Sequence, residues 1–184
     1  MKQLADILNQ PGHPEFGPAA VARLMTAGLS GIEALKKLSA VRQCAQRLFL
    51  NGLPSEAQVL PFFIPGRIEV MGKHTDYAGG QSILCTVERG FTFLASPRTD
   101  PLIRISGIFD ETPVEFPLDP ALAPNMQSWA GYFQTVARRI AQNFPSARIG
   151  ADIAFTSDLP RASGMSSSSA IVVVDIVAHG QQQH

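Results

Sequence analysis

Residues 65–80 read PGRIEVMGKHTDYAGG, placing Arg67, Glu69, Lys73, His74 and Asp76 among Gly66, Gly72, Gly79 and Gly80. A small hydroxylated ligand asks for such a set, because carboxylates accept hydrogen bonds from hydroxyls while Arg, Lys and His donate them. The glycines permit tight turns and close backbone approach. On spacing alone, the same residues also describe a solvated polar turn between strands. A second stretch, LPRASGMSSSSA at 159–170, sets Gly164 and a run of serines between a strand and an apolar segment. The first amides of a helix lack internal partners and carry the positive end of its dipole, so small residues at that point can cradle phosphate. Serine hydroxyls can also ligate Mg²⁺. No Gly-Lys-Ser/Thr follows the glycine, so this is not a P-loop. Taken by itself, the serine run equally describes a cap or a linker.

The elements that must position these stretches fall in two zones. Residues 1–60 read as helical and irregular, with Leu4, Ile7 and Leu8 on one face and a breaker-rich PGHPEFGP at 11–18. Residues 19–27 suit a short helix ended by Gly28. Ser30 then fits an N-cap with Glu33 three residues on, and a helix follows through Ile32, Leu35, Leu38, Val41, Ala45, Leu48 and Phe49. It should stop near Asn51-Gly52, and nothing in the zone asks for chemistry. From Val59 onward short strands are expected: 62–64, 68–71, a pair at 82–87 and 91–96 joined by Glu88-Arg89-Gly90, and a second pair at 102–105 and 112–116. Ser128 suits the cap of a helix through Trp129, Phe133, Val136, Ala137 and Ile140, and 149–156 alternates as a strand.

The 184 residues suffice for one domain with a real core, or for one domain plus an extension. Fifteen basic and fifteen acidic side chains balance, which gives no electrostatic ground for nucleic acid or an anionic membrane as partner. No stretch supplies the roughly 18 uninterrupted apolar residues of a membrane span. The N-terminus lacks the apolar core of a signal peptide. Cys44 and Cys85 form no close pair, which reads as a reduced, cytoplasmic setting with both thiols buried as small apolar residues.

The segment GRIEVMGKHTDYAGG resembles the galactokinase signature G-R-V-N-L-I-G-E-H-T-D-Y-N-G-G, matching it at Gly66, Arg67, Gly72, His74, Thr75, Asp76, Tyr77, Gly79 and Gly80. The second segment is similar to P-x-x-x-G-L-S-S-S-A of the same kinase superfamily, which includes homoserine, mevalonate and phosphomevalonate kinases. Pro160, Gly164, Ser166, Ser167 and Ser168 fall in place, with Met165 for leucine and Ser169 for alanine. The two segments lie roughly ninety residues apart, in the order that family has them. The resemblance implies Arg67 beside the reacting sugar hydroxyl as the catalytic residue. It implies Lys73, His74 and Asp76 against the sugar's other hydroxyls. It places Ser163, Gly164, Met165, Ser166, Ser167 and Ser168 around the phosphates of ATP, with Ser167 or Ser168 on Mg²⁺. Two departures stand out: Glu69 replaces asparagine, and Lys73 replaces a glutamate that faces the C6 end of the sugar.

The fold implied is α+β, the N-terminal domain of that superfamily. It has a mixed sheet with packed helices and a left-handed β-α-β unit at the phosphate loop, an exception to the usual hand. Residues 1–58 are expected to be a helical extension, and 59–184 the sugar- and phosphate-binding domain, truncated before a C-terminal domain. The family's catalytic aspartate and third motif fall beyond the second motif, so the fragment itself is expected to be inactive. The function implied is transfer of the ATP γ-phosphate to the anomeric hydroxyl of galactose or a related hexose. Lys73 raises the alternative of an acidic sugar such as galacturonate. A non-catalytic sugar- or nucleotide-binding relative is the alternative from another class.

Overall fold

The computed structural model describes residues 2–9, 17–72, 75–145 and 149–160. Its elements in chain order are β1 (Lys2–Gln3), α1 (Leu4–Leu8), α2 (Pro18–Thr26), α3 (Gly31–Leu50), β2 (Gln58–Met71), a short 3₁₀ turn (Thr75–Ala78), β3 (Ile83–Pro97), β4 (Leu102–Gly107), β5 (Val114–Pro117), α4 (Ala130–Asn143) and β6 (Ala151–Ser157). The strands form one mixed sheet in the order β1-β2-β3-β6-β4-β5, in which only β4 and β6 run parallel. A parallel pair needs a crossover, and β5 with α4 supplies the chain between β4 and β6. The α+β expectation holds. The left-handed unit at the serine segment involves residues beyond 160, outside the described residues.

Strand alternation sends opposite faces of β3 and β6 to two cores. Phe91, Phe93, Ala95, Ala151 and Ile153 face α4, where they pack with Phe133, Val136, Ala137 and Ile140. Leu94 and Ala154 face the other way and meet Val41, Cys44, Ala45 and Leu48 of α3, joined by Leu4 and Ile7 of α1. The first core is aromatic: Phe93 and Phe155 stack with ring centres 5.7 Å apart, and Trp129 meets Phe133 edge-on at 5.8 Å. Burying a side chain such as Phe93 contributes about 1.5–3 kcal/mol. The second core is closed by α1 and α3, so the helices between β1 and β2 cover one face of the sheet. No helix among the described residues is long and apolar enough to cross a membrane.

Four local expectations need correction. Residues 82–87 and 91–96 do not pair with each other; they are continuous in β3, and both pair with β2. Glu88-Arg89-Gly90 does not turn the chain, because Gly90 lies opposite Pro65 and too close to the Ile64 carbonyl to admit any side chain. The expected strands at 62–64 and 68–71 likewise merge into β2 through Pro65-Gly66, at a shift of register where a missing N–H costs no ladder bond. The buried stripe of α3 is Ala34, Lys37, Val41, Cys44, Ala45 and Leu48, while Ile32 and Leu35 stand 70% and 60% exposed. Small side chains let the helix lie close to the sheet, and that outweighs the larger aliphatics a quarter-turn away. The Ser30 cap forms as expected, its hydroxyl accepting the Glu33 N–H at 3.4 Å. Of the two thiols only Cys44 is buried; Cys85 is exposed on β3.

Candidate functional site

The first constellation sits at one end of a two-stranded ribbon. Below the register shift, Arg67–Met71 of β2 pairs with Ile83–Thr86 of β3. The pairing of β3 with β6 begins only at Phe91, so among the described residues this length of ribbon has no third strand beside β3. Arg67 is exposed on β2, in register with Thr86 and directly after the shift at Pro65. The strands are joined through a turn that the sequence holds shut. The Thr75 hydroxyl lies 2.7 Å from the Gly72 carbonyl and 3.0 Å from that of Gln81, and the Ser82 hydroxyl donates to the Gly72 carbonyl at 2.7 Å. Gly72 has φ +83° and packs against the backbone of Gln81 and Ser82, so neither its conformation nor its surroundings admit a Cβ. This explains Gly72 and Thr75 in the matched pattern as the frame of the turn. Lys73, His74 and the Asp76 side chain lie outside the described residues; the backbone of Asp76 belongs to the 3₁₀ turn.

The second constellation departs from the end of β6. Ser163, Gly164, Met165, Ser166, Ser167 and Ser168 lie outside the described residues, which run to Pro160. Asp158 exchanges two bonds with Gly90: its carboxylate accepts the Gly90 N–H at 2.7 Å, and its own N–H reaches the Gly90 carbonyl at 3.2 Å. Leu159 turns back into the α4-side core. There it meets the first constellation, because a Cβ on Gly66 would stand 2.6 Å from Leu159 Cδ2. Gly66 is therefore the close approach that lets the β2 shift and the root of the serine segment touch. The two stretches singled out by their chemistry start from one junction: Pro65-Gly66 on β2, Gly90 on β3 and Asp158-Leu159 after β6.

One participant in that junction was missed. Lys37 of α3 is 3% exposed and ion-pairs with Asp158. Glu33 is its second partner at 3.3 Å, and its ammonium lies 5.1 Å from the centre of the Phe63 ring. The Glu33 carboxyl is held below the usual carboxylate range, chiefly by its hydrogen bond to Lys36. A further tie comes from Glu88, whose carboxylate accepts the Ser30 N–H at the start of α3. The signal available in the sequence was a lysine inside the small-residue stripe Ala34-x-x-Lys37-x-x-x-Val41-x-x-Cys44.

Farther off, Arg98 and Arg104 converge on buried Asp152, at 3.1 and 2.5 Å, and Arg98 also grips Asp100. That hydrogen bond holds the Asp100 carboxyl at about 2. Both of the Asp152 and Asp100 clusters are fully paired and brace the far end of the sheet. Among the described residues no group of three or more His, Cys, Asp and Glu side chains could hold a metal ion.

Comparison with known proteins falls on the same two segments. Residues 55–97 match the galactokinase galactose-binding signature, and residues 131–181 match the N-terminal domain of the GHMP kinases. A galactokinase of Actinobacillus pleuropneumoniae is 37% identical over 111 residues, covering 60% of this chain and 29% of the relative. One from Haemophilus influenzae is 30% identical over 132 residues, covering 71% of this chain and 34% of the relative. The chain thus spans about a third of the length of the curated relatives it matches. Among solved structures, the Lactococcus lactis galactokinase complexed with galactose aligns with TM-score 0.57 at 28% identity, over 64% of this chain and 31% of that one. The Methanococcus jannaschii mevalonate kinase aligns with TM-score 0.57 at 16% identity, over 72% and 42%, a likeness of fold.

Proposed function

We propose, for a chain that is a relative of the galactokinases within the GHMP kinases, a part in phosphoryl transfer from MgATP to the anomeric hydroxyl of galactose. The observation that carries this reading is the contact of Leu159 with Gly66, which roots the phosphate-type segment beside the strand that bears Arg67. Two segments matched separately to a sugar signature and a kinase domain leave the fold from a single junction, as a reaction joining sugar to phosphate requires.

In this reading Arg67 is a fixed cation next to the anomeric oxygen, where it stabilises the negative charge that grows as the hydroxyl is deprotonated. Lys73, His74 and Asp76 orient the sugar through its remaining hydroxyls. The amides and hydroxyls of Ser163–Ser168 hold the phosphate chain in line with that oxygen. Ser167 and Ser168 offer hydroxyl oxygens, ligands that suit Mg²⁺, which would neutralise charge between the phosphates. Among hexoses galactose leads, because the matched signature is the galactose-binding one.

Calorimetric titration of the chain with galactose, galacturonate and a non-hydrolysable MgATP analogue tests the proposal. Galactose and the analogue are each expected to bind, and Arg67→Ala is expected to weaken sugar binding in the presence of the analogue by about tenfold. A chain that folds and binds neither ligand contradicts the reading; tighter binding of galacturonate than of galactose replaces the sugar.

A further inference from the structure

Lys37 lies in a helix that carries none of the residues assigned above to sugar or phosphate. It is nevertheless nearly as buried as any residue of its stripe, and Ala34, Val41, Cys44 and Ala45 around it are apolar. A buried lysine is rare, and an ion pair taken out of water gains little over a well-packed aliphatic side chain. A leucine or methionine would fill the same stripe without the cost of desolvating an ammonium. What the ammonium does instead is specific in direction. It pairs with one oxygen of Asp158, whose other oxygen accepts the Gly90 N–H. Gly90 stands opposite Pro65 in the β2–β3 ladder, and the next residue after Asp158 touches Gly66. The ring of Phe63 lies over one side of the ammonium, and Glu33 holds it from one turn earlier in α3. Between α3 and the end of β6 this leaves a cleft of about 270 Å³, lined by Lys36, Lys37, Gln43, Thr156 and Asp158.

We propose that Lys37 is a positioning residue for the nucleotide site: by pinning the Asp158 carboxylate it fixes where the chain leaves the sheet at Asp158–Pro160, and hence where the serine segment begins. The proposal rests on the reading of that segment as a phosphate cradle. The charge acts at one remove, through Asp158 and Gly90, so it sets the direction of the exit without touching the nucleotide. Helix α3 gains a defined part in the chemistry of a site made of residues far from it in sequence. A cradle of backbone amides loses grip when its first residues wander, because several weak contacts must converge on one phosphate at once.

The test uses the full 184-residue chain as wild type, Lys37→Met and Lys37→Arg. Native-state hydrogen exchange is read at the amides of Gly90 and Asp158, with the amides of α4 as the internal standard. In Lys37→Met the Gly90 amide is expected to exchange about tenfold faster while α4 is unchanged. MgADP affinity, by calorimetry, should fall about tenfold, and Lys37→Arg should restore most of both. Should Lys37→Met not fold, Asp158→Asn carries the same comparison, since it keeps the side-chain shape and removes the charge that Lys37 meets. A folded variant with unchanged exchange at Gly90 overturns the proposal. So does faster exchange with unchanged MgADP affinity, which reduces Lys37 to a structural anchor. Absence of MgADP binding in the wild type itself, with the exchange result as expected, overturns the phosphate reading first and the positioning role with it.

Discussion

Strands β2 and β3 run side by side from Leu60–Ala95 to Met71–Ile83, yet the two ends of this ladder live in different surroundings. From Phe91 to Ser96, β3 is buried on both faces, α4 on one side and α3 on the other, with β6 as its second neighbour. From Ile83 to Thr86 the same strand is exposed, and among the described residues it pairs only with the Arg67–Met71 stretch of β2. The buried end supplies the cohesion, and the exposed end carries Arg67 and leads into the turn of the matched signature. The junction at Gly66, Gly90 and Leu159 is where one passes into the other. A site placed there has a rigid base, and Arg67 stands exposed beside it.

The sharpest way to break this division is to remove matched side chains from each end. Phe93→Ala empties a fully buried position between stacked rings and should cost about 3–5 kcal/mol in denaturant unfolding. Ile68→Ala, on the exposed ribbon, should stay within about 0.5 kcal/mol. Comparable losses would mean that the ribbon is held as tightly as the sandwich.

The thiols sharpen the same contrast without a mutation. Burial pushes Cys44 up to about 12, whereas Cys85 is exposed on the ribbon. A thiol reagent at neutral pH should modify Cys85 within minutes and Cys44 only on unfolding, because the thiolate is the reactive form. Linkage adds a pH dependence. A thiol whose folded value lies above its unfolded one favours the native state below the unfolded value, about 9, and that contribution is lost as pH rises toward 12. Cys44→Ala should therefore flatten the alkaline decline of the thermal midpoint over that window, measured by circular dichroism.

The smallest effect belongs to the braced edge of the buried end. Asp100 is held at about 2 by its hydrogen bond to Arg98, against an ordinary 3.8. A depressed carboxyl contributes stability above its unfolded value and loses it as pH falls through the folded one. The difference in melting temperature between wild type and Asp100→Asn should be small near neutrality and vanish between pH 4 and pH 2.

Much of this was legible in the residues. The glycines, Arg67 and the serine run marked the two stretches that the family comparisons match, and the Ser30 cap and the positive-φ Gly28 just past α2 mark α3 and α2 as expected. Two things were not. Gly90 has the appearance of a turn residue, and only the nearness of the Ile64 carbonyl reveals that it serves close packing inside one long strand. Lys37 was hidden because periodicity ranks faces by apolar bulk, while α3 chose the face with the smaller side chains and took the lysine with it. Long-range partners such as Asp158, 121 residues away, leave no local mark on the sequence.

In the proposed reading both segments serve one ligand pair from their shared junction. Backbone amide shifts of the isotopically labelled chain, followed as galactose and a non-hydrolysable MgATP analogue are added together, test it most directly. Gly66–Met71 and Asp158–Leu159 are both expected to move, with the α4 amides still. Movement confined to one segment, or to neither, would contradict it.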